Sequence, residues 1–146
     1  MTRALAILLF VLTIPAASLR ADQASLDKLV KKEQANVDNE AVSVYGGKVG
    51  KLEAVFFIEW TGVGNPIEGH YYYLSRGKDK GYRLKGTNPK VGVIVLEEYT
   101  PKGDGTSRLT ANCRLTKRVT KGRIIWEGQM NNTDGRQLKI SFSRPR

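Results

Sequence analysis

Apolar and polar residues alternate along most of this chain. A period of two is the pattern of a strand with one buried and one wet face. In the stretch 106–117, Leu109, Ala111, Cys113 and Leu115 share one phase, and Thr110, Asn112 and Arg114 share the other. The same split sets Leu138, Ile140 and Phe142 against Gln137, Lys139 and Ser141. Eight such stretches are predicted as strands: 42–46, 51–60, 67–75, 80–86, 91–100, 106–117, 122–130 and 136–143. Turn residues separate them: Gly46-Gly47, Gly62 to Pro66, Gly77 to Gly81, Gly86 to Pro89, Pro101 to Gly105, Lys121-Gly122 and Asn131 to Gly135. Connections this short make hairpins, so neighbours in sequence pair in space.

The alternation fails in two places. Val55 and Phe57 make both phases apolar over 53–58, and Val93 and Val95 do the same later. These strands are expected to be covered on both sides, with the N-terminal segment as the second cover. That segment, 23–37, lacks Gly and Pro and carries Leu26, Leu29 and Val30 at helical spacing, with Ser25 as a candidate cap. No gap between strands holds a 10–15-residue helical pattern, which disfavours parallel βαβ units.

The predicted fold class is therefore all-β. It is an antiparallel up-and-down meander of seven or eight strands, closed or nearly closed into a barrel, which removes exposed edges. By strand count and hairpin spacing over roughly residues 51–143 it resembles the lipocalin and avidin barrels. That resemblance implies a ligand or partner at the barrel mouth, and no family motif accompanies it.

The first residues have a different character. Met1 to Arg3 is basic, Ala4 to Ile14 is apolar apart from Thr13, and Pro15 and small residues follow. This is the layout of a cleavable export signal, with cleavage expected after Ala21. The expected organisation is a signal peptide over 1–21, a helix or arm over 22–40, and the barrel over 41–146. The expected location is periplasmic or secreted. The apolar run is shorter than the ~20 residues a membrane-spanning helix needs, and no later stretch is apolar enough to span.

Charge narrows the partners. The chain has 24 Lys+Arg against 14 Asp+Glu. Without Arg3 and Arg20 the basic residues fall to 22, leaving a formal charge of +8. Such a surface favours anionic or acidic partners. The cations are scattered singly, with concentrations at Ser75 to Gly81 and at Arg114, Lys117, Arg118, Lys121 and Arg123. No nucleic-acid motif is present, and the Gly-containing basic turn at 75–81 does not match a phosphate-binding loop. Asn131-Asn132-Thr133 has the form of a glycosylation sequon.

The candidate chemistry is that of binding. Glu98 is the one carboxylate on the inward phase, so it needs a buried partner or a raised pKa. With the aromatics Trp60, Tyr71, Tyr73 and Trp126 it forms the candidate ligand pocket, since Tyr and Trp pair an apolar body with a polar tip. Core filling is the competing reading of the same residues. His70 and Tyr72 fall on the outer phase, and with Arg76 and Lys78 they form a candidate surface contact. Catalysis has little support. The single histidine precludes a His-pair metal site. His70 and the lone Cys113 fall on opposite faces, and so do the adjacent Glu97 and Glu98. No metal or cofactor is expected. The function expected is an exported non-enzymatic module binding a small ligand or glycan at the barrel mouth. The alternative is an envelope protein-binding or inhibitory module, or a binder of an anionic polymer, acting through basic turns and outer aromatics.

Overall fold

The computed structural model describes residues 16–146, with side chains from Gln23 onward. The expected signal peptide, residues 1–21, thus lies outside the described side chains, and its first 15 residues lie outside the described residues entirely. A helix, α1 (Ala16–Ala35), precedes eight strands: β1 (Val42–Val49), β2 (Leu52–Trp60), β3 (Pro66–Tyr73), β4 (Tyr82–Lys90), β5 (Val93–Pro101), β6 (Ser107–Thr120), β7 (Arg123–Asn132) and β8 (Gln137–Ser143). Each strand pairs antiparallel with the next, and β8 returns to β1, so the sheet is a closed barrel in simple meander order. Every stretch predicted to be a strand is one.

Two predicted turns are corrected. Gly46-Gly47 lies inside β1, and the chain reverses at Gly50-Lys51. Gly86 to Pro89 belongs to β4, whose pairing with β5 slips register between Thr87 and Lys90. The buried Asn88 amide bridges this irregularity by donating to the carbonyls of Lys90 and Val93.

The inward phase forms one continuous core, with Phe56, Tyr71, Leu84, Leu96, Leu115 and Ile140 among its fully buried members. Inward glycines let the sheet bend tightly enough to close. A Cβ on Gly69 would stand 2.2 Å from the Phe57 carbonyl oxygen, and one on Gly128 would stand 1.9 Å from that of Arg114. No side chain fits there, and the strands approach where none is present.

A second, smaller core lies outside the barrel. Leu26 and Val30 of α1 pack on Val44, Val55 and Tyr72, with Phe57 alongside. This explains why 53–58 is apolar on both faces: one face fills the barrel and the other seats the helix. Gly46 makes the seat possible, because a Cβ there would meet Leu26 Cγ at 3.0 Å. Ser25 sits within α1 and does not cap it.

The helix also treats an incomplete seam. β1 pairs with β2 along its whole length but with β8 only from Gly46 to Val49. The exposed half of its edge is met by Gln34, whose Nε2 donates to the Val42 carbonyl (3.1 Å) and whose Oε1 accepts from the Val44 amide (2.7 Å).

A meander puts alternate connections at opposite ends of the barrel. The β1–β2, β3–β4, β5–β6 and β7–β8 turns surround one mouth. The β2–β3, β4–β5 and β6–β7 connections, with the start of β1 and the end of β8, surround the other.

Candidate functional site

The first mouth is built on Glu98. A bulge in the β5–β6 pairing sets Glu98 opposite Ala111 but Tyr99 opposite Leu109. The extra residue, Thr110, therefore turns inward, and its Oγ1 donates to Glu98 Oε1 at 2.7 Å. The Tyr71 hydroxyl donates to the other oxygen, Oε2. Tyr73 Oη lies 3.4 Å from Tyr71 Oη and continues the chain of hydroxyls toward the opening. Glu98 is only 4% exposed and has no ion-pair partner among the described residues. Its charge is held by two hydroxyl donors, as a buried carboxylate requires.

The titration behaviour follows from this burial. The Tyr71 phenol is driven far above its ordinary value by desolvation first, then by the adjacent negative charge and hydrogen bond of Glu98. The Cys113 thiol is pushed up to about 12 by burial and, secondarily, by Glu98. A thiol held protonated is the reverse of an activated nucleophile. Above this floor lies a polar cleft of about 440 Å³, rimmed by Arg76, Arg108 and Arg136. Arg76 donates to the Tyr82 hydroxyl (3.0 Å) and lies 5.2 Å from the Tyr73 ring centre, and Arg136 pairs with Asp134 at 2.8 Å.

The second mouth is different in kind. Trp60 and Trp126 meet edge to face, 5.4 Å between ring centroids at 68°. With Tyr45, Ile58 and Ile124 they line a cleft of about 710 Å³. The Trp60 indole donates to the Gly62 carbonyl at 2.9 Å. Five basic side chains line the same cleft, those of Lys117, Lys121, Arg123, Arg144 and Arg146, and no Asp or Glu side chain does. Arg144 is fixed by donation to Ser43 Oγ (2.7 Å), with its guanidinium 5.8 Å from the Tyr45 ring centre. Arg123 donates to the Arg144 carbonyl at 3.1 Å and pairs with Asp27 of α1 at 3.4 Å. The β6–β7 turn places Lys121 at the lip with φ 50°, the one non-glycine positive φ among the described residues.

The five residues expected in one pocket are thus divided. Glu98, Tyr71 and Tyr73 sit toward the first mouth, and Trp60 and Trp126 line the second. The expected outer surface contact does not form as a unit either. Tyr72 is buried beneath α1. His70 stacks on Phe57, centroids 4.6 Å apart and nearly parallel, and partial burial lowers its pKa. Lys78, in a single 3-10 turn over Lys78–Lys80, is bound to Glu33 of α1 at 2.6 Å, and Arg76 turns into the first mouth. Leu109, expected inward, is left out of the core by the bulge.

Sequence reading missed Thr110, because one inserted residue reverses the phase. It also missed Tyr45, in a predicted strand of only five residues, and Arg144, which lies just past the end of β8. Among the described residues no group of three or more His, Cys, Asp or Glu is placed to hold a metal ion, and no helix is long and apolar enough to cross a membrane. Comparison with known proteins returns no match to a family model, to a curated protein or to a solved structure.

Proposed function

We propose that this chain is an exported, non-enzymatic binding module that takes a small ligand or glycan at the tryptophan-lined mouth of its barrel. One observation carries the reading. The Trp60–Trp126 cleft is wide, the Trp60 and Tyr45 rings in it are only partly covered while Trp126 is buried, and most of its cations lack an ion-pair partner among the described residues. Its volume falls in the range of about 300–1,000 Å³ common to ligand pockets. The Glu98 mouth supports a framework role, since both carboxylate oxygens already have donors. The leader-like residues 1–21 support export.

The alternative of a contact surface on the outer face has lost Tyr72 to the helix and Lys78 to an ion pair. Binding at the mouth is tested by thermal melts of the chain from Asp22 onward, alone and with millimolar decanoate, benzoate, diacetylchitobiose or a neutral glucoside. At least one of these is expected to raise the melting temperature of the wild type and not that of Trp60→Ala. If none does, or if the variant responds equally, binding at this mouth is wrong.

A further inference from the structure

We infer that the tryptophan-lined mouth selects an anionic amphiphile: one carboxylate, sulfonate or phosphate group on a flat or apolar body. This rests on the reading of that mouth as a binding site and specifies the chemistry it takes.

The argument begins with charge. The cleft is lined by five basic side chains and no Asp or Glu side chain. Only one carboxylate, Asp27, pairs with any of the five among the described residues, and it does so with Arg123 at 3.4 Å. The neighbouring Glu127 is taken by Arg118, which meets both its oxygens on the outer face at 2.6 and 3.1 Å. The charged side chains of the concave wall are therefore all positive, and low-dielectric walls focus such a field on a bound anion.

Placement comes next. Arg144 and Arg123 are held on one side by Ser43, the Tyr45 ring and the Arg144 carbonyl, so little side-chain freedom is lost when they meet a ligand. Lys117 and Lys121 line the same cleft from the β6–β7 hairpin, which also carries Arg123. Lys121 holds a left-handed backbone position that Asn or Gly occupies at lower cost. Strain of this kind gathers where a side chain is needed at one spot.

The remaining lining gives the second half of the ligand. Trp60, with the largely buried Trp126 and Ile58 behind it, gives the cleft an apolar lining beside the cations. Ile124, 47% exposed, extends it toward the hairpin tip, where Val119 is 62% exposed. A cation finds no partner here, and a neutral ligand leaves the charges unused.

Two dyes with one ring system separate these cases. 1-Anilinonaphthalene-8-sulfonate carries a sulfonate, and N-phenyl-1-naphthylamine is its neutral counterpart. Titrated into the native chain at neutral pH, the sulfonate is expected to saturate one site and bind at least about tenfold more tightly than the neutral dye. Its affinity is expected to fall as salt rises. Charge reversal by Lys117→Glu with Lys121→Glu, both residues being exposed, is expected to weaken the sulfonate about tenfold or more and to spare the neutral dye. Trp60→Ala is expected to weaken both.

Equal affinities for the two dyes, or no effect of charge reversal, would overturn the anionic preference and leave mouth binding standing. Failure of both dyes to bind, or indifference of both to Trp60→Ala, would overturn mouth binding itself. Displacement of the sulfonate by a DNA oligonucleotide or heparin, retained in Trp60→Ala, would overturn the small-ligand inference in favour of a polyanion surface.

Discussion

The two mouths of this barrel contain the same classes of residue, aromatic rings and charges, in opposite states. At one, Glu98 is enclosed by Tyr71 and Thr110, and both of its carboxylate oxygens have donors. At the other, Trp60 and Trp126 face a cleft whose cations outnumber the carboxylates bound to them. The lesson is that composition does not distinguish a framework from a site. Satisfaction does: a polar network with its hydrogen bonds made holds the fold in one arrangement, and unsatisfied charge over open aromatic surface is free to meet a ligand.

Each end can be disturbed separately. The largest effect expected concerns Cys113, which lies in the closed half under the influence of Glu98. A thiol pushed up to about 12 from an ordinary value of 9.0 has roughly a thousandfold less thiolate at pH 8. Iodoacetamide is therefore expected to leave native Cys113 unmodified over hours and to alkylate it promptly in denaturant. Prompt native alkylation, followed by mass spectrometry, would show that the first mouth is open after all.

Next in size is Glu98→Ala. It removes the acceptor shared by the Tyr71 and Thr110 hydroxyls, which keep only Tyr73 and Thr100 as hydroxyl neighbours, and leaves a cavity, and is expected to cost about 2–3 kcal/mol in urea unfolding. Binding of the sulfonate dye at the far end should be unchanged. A loss of binding in a variant that is still folded would mean that the two mouths are not independent.

A smaller effect of opposite sign is expected at the other lip. Lys121→Asn suits the left-handed backbone better and is expected to raise stability by about 0.5–1 kcal/mol. The same change removes a cation and should weaken the sulfonate dye. Gain in stability with loss of binding would be the mark of a position held for function.

The smallest effect belongs to His70. Burial against Phe57 lowers its pKa below 6.5. The folded state then resists a proton that the unfolded chain accepts. The contribution is present above pH 6.5 and is lost as pH falls through the folded value. A proton NMR titration should place the ring's midpoint below 6.5, with stability declining slightly over that range.

Periodicity made the barrel legible and hid the site, for one reason. A two-residue period tells which face a side chain takes, and so it correctly grouped Glu98, Tyr71, Tyr73, Trp60 and Trp126 as interior. It does not tell at what height along the axis each stands. Height follows from register, and register joins residues as distant as Gly46 and Ser143. The bulge beside Glu98 shows the limit in miniature, since one unpaired residue sends Thr110 in and Leu109 out. The doubly apolar stretch 53–58 was the opposite case. Its failure to alternate announced a second covering layer, and α1 supplies it.

The four-residue joint between β1 and β8 also has a bearing on how the chain acquires its shape. All other strand pairs in the barrel are local hairpins, which form before distant segments meet. The joint must wait until about a hundred residues have been ordered, because the entropy lost in closing a loop grows with its length. Gln34 lies only eight residues from Val42 and ten from Val44. The helix can thus hold the vacant half of β1 from the outset, keeping that edge from pairing with another molecule until β8 arrives.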